Sequence, residues 1–129
     1  AFTVHPVTED RDQMIIEAGH GLGEAIVSGQ VTPDSYIVSK SEMTILDIHI
    51  GYQTSKLVKD ADGGEEANIW IDLGEEGEKQ KVRGRTIIAL AEQFKRIEEH
   101  YGFPCDIEWA MVGDEIYITQ SRPITTLSK

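Results

Sequence analysis

An alternating run near the C-terminal end constrains this chain most. From Pro104 to Thr125, Ile107, Trp109 and Met111 alternate with Asp106, Glu108 and Ala110. Ile116, Tyr117 and Ile118 then form a β-prone return strand after Gly113 and Asp114. The pattern predicts one β-hairpin. Directly before it, Ile87, Leu90, Ala91, Phe94, Ile97 and Tyr101 fall at helical spacing, with Glu98 as the one charge on that stripe. Glu92, Gln93, Lys95, Arg96 and Glu99 make the opposite face, so the spacing predicts an amphipathic helix over 86–101. Gly102 and Pro104 stop it. A helix that feeds straight into a short hairpin fixes the hairpin's position, and its apolar stripe is expected to pack on the back of the sheet that carries the hairpin.

The polar residues of the hairpin are its anomaly. Asp106 and Glu108 stand two apart on one strand and share a face, as do Gln120 and Arg122 on the other. Carboxylate and amide oxygens are hard ligands suited to Mg²⁺, which keeps several waters and takes further ligands from substrate phosphates. A guanidinium is a planar fork for phosphate. The same four residues also fit a solvated face with a surface salt bridge, worth about 0–1 kcal/mol. Register tests any joint role for Glu108 and Gln120. With a regular two-residue turn, position 108 would pair with 119, and the side chains of Glu108 and Gln120 would face opposite ways. Convergence therefore requires an odd loop, such as 113–115, or a β-bulge.

The run from Glu98 to Ala110, followed by Ile116 to Thr125, resembles the end of the ATP-grasp nucleotide-binding domain of phosphoenolpyruvate synthases, and of the related pyruvate phosphate dikinases and rifampicin phosphotransferases. The segment from Glu17 to Tyr36 is similar to the second signature of that family, and the resemblance covers roughly 1–38 and 86–127. It implies an α+β ATP-grasp subdomain, mostly antiparallel sheet, with one long C-terminal helix (about 85–101) packed on it. Residues 1–129 then form a single domain, the C-terminal half of the nucleotide-binding domain.

Several roles follow from the resemblance. Glu108 and Gln120 match the metal-ligand positions, with Mg²⁺ as the cofactor, and Arg122 matches the catalytic arginine that stabilises charge on the transferred phosphoryl group. Asp106, Glu17 and Glu24 match acidic positions near ATP, and Arg122 also belongs to the implied ATP-binding set. The implied activity is phosphoryl transfer from MgATP, through a phosphohistidine on a separate swivelling domain, to pyruvate: ATP, pyruvate and water give phosphoenolpyruvate, AMP and phosphate. None of His5, His20, His49 and His100 has the Thr-Ser-His surroundings of that carrier histidine. A same-superfamily enzyme with another acceptor, such as an antibiotic, and a non-catalytic binding module are the alternatives.

Composition bounds the partners. Of 129 residues, 23 are Asp or Glu and 12 are Lys or Arg, for a formal net charge of −11. That balance speaks against nucleic acid and anionic membranes, which need a basic face. It also means that polyphosphate must be held through metal, backbone amides and a few placed cations. In the family the basic phosphate contacts come largely from the preceding half of the domain, so that half is an expected partner beside ATP and the swivelling domain. The chain on its own is then expected to be inactive, and either to self-associate through the uncovered face or to leave its ends and acidic loops poorly ordered. The longest apolar run, Ile87 to Ala91, is far too short to span a bilayer, and a cytoplasmic protein is expected. Cys105 is the single cysteine and reads as a packing residue.

Elsewhere, Ala1 to Val7 alternates like a strand and Met14 to Glu17 reads as a second. Gly19, Gly21 and Gly23 offer close backbone approach, but a dinucleotide fingerprint would need glycine where Glu24 stands, and no βαβ unit surrounds it. Residues 36–39, 44–50 and 56–58 read as an antiparallel meander. The acidic, glycine-rich turns at 60–66 and 74–79 flank a further strand at 68–73.

Overall fold

The computed structural model describes residues 1–21, 26, 29–59, 68–113 and 115–125. Its strands are β1 (Gln13–Ala18), β2 (Asp34–Ser39), β3 (Thr44–His49), β4 (Ser55–Lys59), β5 (Asn68–Asp72), β6 (Cys105–Val112) and β7 (Glu115–Pro123). A 3₁₀ turn covers Gly74–Glu78, and helix α1 spans Gly84–Tyr101. The architecture is α+β, as expected. The sheets are β1-β2-β3, β4-β5 and β6-β7. The chain divides into two compact units, one of Ala1–Glu17, Tyr36–Ile48 and Val82–Lys129, the other of Ala18–Ser35 and His49–Lys81.

The first unit is built around α1. Arg83, extended at φ −73° and ψ 154°, precedes the helix without a side-chain cap, and Gly102 ends it at φ 79°. The Gly102 N–H donates to the Glu98 carbonyl at 2.8 Å, a positive-φ stop that glycine makes without strain. Ile87, Leu90, Ala91 and Phe94 are fully buried, and Phe94 meets Trp109 of β6 with ring centroids 6.3 Å apart. Met14 and Ile16 of β1, Tyr36 and Val38 of β2, and Cys105 and Ile107 of β6 are buried with them, as are Val4 and Val82. At about 1.5–3 kcal/mol per fully buried large apolar side chain, this one-sided packing decides which face of each strand turns to the helix.

The N-terminal segment differs from the expected strand. Phe2 alone makes β-bridges, one to Ile15 and one to Asp106. At His5 the backbone turns: the imidazole Nδ1 accepts from the Val7 and Thr8 N–H groups at 3.2 and 3.1 Å, and Glu9 sits at φ 60°. Short as it is, residues 1–3 link β1 to the hairpin.

The second unit holds the β4-β5 ribbon, with Ser55 opposite Asp72 and Leu57 opposite Trp70. Leu57 packs with Val31 and Ile26. The expected meander forms only in part: β3 pairs with β2 as expected, but β4 pairs with β5 instead of β3. The segment between β3 and β4 is committed elsewhere. Gly51 donates to Asp34 Oδ1 at 2.8 Å, and a Cβ on Gly51 would lie 2.3 Å from the Thr32 carbonyl oxygen. Lys81 Nζ donates to Asp34 Oδ1 at 2.8 Å and to the Gly51 carbonyl at 2.7 Å. The Gln53 side chain is equally tied. Its Oε1 accepts from the His20 N–H at 3.0 Å, and its Nε2 donates to the His20 carbonyl at 2.7 Å. Packing explains Gly21, where a Cβ at φ 90° would stand 2.6 Å from the Leu57 carbonyl oxygen, and Gly23 lies outside the described residues.

Candidate functional site

The hairpin presents two faces, and burial tells them apart. Cys105 and Ile107 are buried and Trp109 meets Phe94, so odd positions of β6 face α1. Asp106, Glu108 and Ala110 consequently face away from the helix. Pairing then assigns β7. Asp106 lies opposite Arg122, Glu108 opposite Gln120, and Ala110 opposite Tyr117. Directly opposed residues share a face, so Asp106, Glu108, Gln120 and Arg122 stand together on two adjacent rungs.

Two devices produce that register. Val112 pairs with Glu115, leaving two positions for the turn, and Gly113 takes φ 62°, a conformation favoured by glycine in short hairpin turns. Such a hairpin left regular would set position 119 against Glu108. Instead the register shifts between Glu108 and Trp109: Trp109 pairs with Ile118, Glu108 with Gln120, and Thr119 is the extra residue. A β-bulge of this type re-aims side chains. Of the two arrangements that allow convergence, the bulge is the one that occurs. Asp114, in the expected turn, lies outside the described residues.

Glu17 joins the same face. Phe2 bridges both Ile15 and Asp106, so these three side chains point one way, and Glu17, two residues beyond Ile15, follows them. Glu24 lies outside the described residues.

The rungs differ in electrostatics. Asp106 and Arg122 form an ion pair, with Arg122 Nη2 and Nε at 3.2 and 3.4 Å from Asp106 Oδ2. The arginine side chain is 55% exposed and the aspartate 21%, so the fork is aimed by the carboxylate yet open to solvent. The surface salt bridge expected from spacing is thus present, and it occupies only half of the set. The Glu108–Gln120 rung offers a carboxylate and an amide oxygen. Among the described residues no group of three or more His, Cys, Asp or Glu side chains could hold a metal ion. Two oxygen donors on one rung nonetheless fit Mg²⁺, an ion commonly bound through one or two protein groups with waters and phosphate oxygens completing its shell.

Sequence reading passed over some neighbours. Tyr117 shares this face, its hydroxyl donating to Glu115, a contact that raises its pKa; its parity with Glu115 was the available signal. Cys105, read as packing, is fully buried. Burial raises its thiol pKa, with a Ser121 hydrogen bond acting the other way.

The chain is similar to known proteins along its whole length. The family described as "Pyruvate phosphate dikinase, AMP/ATP-binding domain" matches residues 1–129. A probable phosphoenolpyruvate synthase of Methanocaldococcus jannaschii is 44% identical over 99% of this chain and 11% of its own length. The phosphoenolpyruvate synthase of Pyrococcus furiosus is 43% identical over 99% of this chain and 16% of its own. A rifampicin phosphotransferase of Bacillus subtilis is 40% identical over 98% of this chain and 14% of its own. The chain thus spans less than a fifth of the length of these curated relatives.

Proposed function

The chain belongs to the pyruvate phosphate dikinase AMP/ATP-binding domain family, and from that premise we propose that its hairpin face holds Mg²⁺ and the phosphates of ATP for phosphoryl transfer. The observation that carries the reading is the bulged register, which sets Glu108 against Gln120 and Asp106 against Arg122 on one face. Glu108 and Gln120 would hold the ion, which when bound offsets phosphate charge. Arg122 meets the charge on the transferred group, and Asp106 keeps its fork oriented. Catalysis of this kind rests on positioning and electrostatics and needs no protein nucleophile at the ATP site. Glu17 and Glu24 contribute to nucleotide binding, as the family signature implies. On this reading ATP lies between this region and the other half of an ATP-grasp domain.

The acceptor is a histidine on another domain of the whole protein, and pyruvate is the final acceptor, giving phosphoenolpyruvate, AMP and phosphate. The two archaeal synthases support that choice. The rifampicin phosphotransferase supports a second reading, in which an antibiotic hydroxyl takes the phosphoryl group. In the whole protein, Glu108→Gln and Gln120→Leu are each expected to weaken Mn²⁺ binding, read by electron paramagnetic resonance with ATP present, at least tenfold without lowering the melting temperature. Unchanged metal affinity in both would overturn the assignment. Product analysis with pyruvate and with rifampicin separates the two acceptors.

A further inference from the structure

Beneath the proposed site lies a pair of charges that packing does not require. Glu98 interrupts the apolar stripe of α1, and Lys40, just past β2, is only 8% exposed. Lys40 Nζ meets Glu98 Oε1 at 2.5 Å. Withdrawing such a pair from water returns little net stability, and apolar replacement is often neutral or stabilising. Nor is the pair saturated: Glu98 Oε2 is buried without a hydrogen-bond partner among the described residues.

The geometry accounts for what the pair does. Lys40 Nζ also donates to the Thr3 carbonyl at 2.8 Å. The Thr3 N–H donates to the Cys105 carbonyl at 2.9 Å, and the Cys105 N–H donates to Thr3 Oγ1 at 2.8 Å. Cys105 opens β6, one residue before Asp106 and three before Glu108. The Lys40 backbone is itself anchored, its N–H donating to the Asp12 carbonyl at 2.6 Å and its carbonyl accepting from Lys95 Nζ at 3.4 Å. One ammonium thus ties the last turns of α1, the end of β2 and the segment that borders β6.

We propose that Lys40 and Glu98 are positioning residues for phosphoryl transfer, acting through Thr3 on the base of β6 and hence on where Asp106, Glu108 and their partners on β7 stand. This rests on the function proposed above. A displacement of about 1 Å at a reacting centre can cost on the order of 100-fold in rate, so a tie that adds little stability can still matter to turnover.

The test uses the whole protein and the paired substitution Lys40→Met with Glu98→Leu. Its melting temperature is expected to stay within a few degrees of the parent's, while the rate of ATP-dependent phosphoryl transfer falls about tenfold or more and ATP affinity changes little. Amide exchange, read independently of activity, is expected to quicken at residues 105–108 and to stay unchanged in the middle of α1. Glu98→Gln alone keeps the shape and an acceptor for Lys40, and retains most of the rate and the slow exchange. A paired variant with parental rate and parental exchange in the hairpin overturns the proposal. So does a folded Glu98→Gln protein with parental exchange and a rate as low as the pair's, because charge rather than position would then be at work. Should the paired variant not fold, Lys40→Met with Glu98→Gln, which removes the donor to the Thr3 carbonyl without leaving a buried charge, is the second probe, and unchanged hairpin exchange there also overturns it. Absence of ATP-dependent transfer in the parent contradicts the proposed function instead and leaves the exchange result to decide the positioning.

Discussion

In the proposed function, Arg122 is where binding and catalysis part. Its fork is aimed by Asp106 but more than half exposed, as suits a group that meets charge arising during transfer. Lysine would keep the charge and lose the bidentate geometry. In the whole protein Arg122→Lys should therefore depress phosphoryl transfer about 100-fold while changing ATP affinity only a few-fold; equal losses in rate and affinity would contradict the role. Asp12 offers a pH test of stability. Its carboxylate accepts from the hydroxyls of Ser39 and Ser41 at 2.9 and 3.1 Å and from the Ser41 N–H at 2.9 Å. Those hydrogen bonds, led by Ser39, hold its pKa below the ordinary carboxyl value. A depressed folded value means that the contribution is present above the unfolded pKa and is lost as pH falls through the folded one. Asp12→Asn should consequently melt earlier than the parent at neutral pH, with the gap closing in acid; a constant gap across pH would refute the linkage. Asp34 and Lys81 carry a larger stake, since their side chains are 0% and 2% exposed and 2.8 Å apart. Asp34→Ala leaves a buried ammonium without its carboxylate and is expected to cost about 3–5 kcal/mol, measurable by denaturant unfolding.

At the level of elements, the helix and the hairpin were legible in the sequence because each is decided locally. Apolar residues at helical spacing ending at Gly102 and Pro104 describe α1, and strict alternation describes β6. That joint use of Glu108 and Gln120 needs an odd loop or a bulge was legible too, since a regular two-residue turn sets Gln120 on the wrong face. Which residue would bulge was not, because Thr119 carries no local signal and the choice depends on β6 pairing with β7 at both ends. Strand partners were the least legible. Residues 56–58 look the same whether they pair with β3 or β5, and the deciding contacts, Gly51 against Thr32 and Gln53 against His20, join residues 19 and 33 positions apart. Lys40 and Glu98 were half visible: a glutamate on an apolar stripe asks for a partner, but nothing local names a lysine 58 residues away. The glycines can be tested as elements. At Gly102 a Cβ would meet nothing within 4 Å, whereas at Gly21 it would press on the Leu57 backbone. Gly102→Ala should cost about 1–2 kcal/mol for its left-handed conformation, and Gly21→Ala clearly more; equal costs in denaturant titrations would contradict the packing account.

At the scale of the whole molecule, charge governs what residues 1–129 can do by themselves. The proposed site gathers the carboxylates of Glu17, Asp106 and Glu108 around one guanidinium, already paired with Asp106, in a chain of net charge −11. Such a surface attracts Mg²⁺ and repels free polyphosphate, so tight nucleotide binding needs cationic groups beyond those described. The same charge opposes self-association, which the second unit otherwise invites. Ile69, Trp70 and Ile71 on β5 are 42%, 47% and 41% exposed, and β5 pairs only with β4 among the described residues. An exposed apolar edge of this kind is a template for pairing between chains. Residues 1–129 expressed alone are therefore expected to bind MgATP no tighter than about millimolar, near −4 kcal/mol, and to turn nothing over. They should stay monomeric at low ionic strength, where the Debye length is about 30 Å at 0.01 M, and associate as it contracts to about 8 Å at 0.15 M. Trp70→Lys, which places a cation in the middle of β5, should keep the chain monomeric at both. Calorimetry and light scattering at the two salt concentrations decide the matter: micromolar MgATP binding by a monomer would show that the described carboxylates and Arg122 suffice for the nucleotide, and association of Trp70→Lys equal to the parent's would move the contact away from β5.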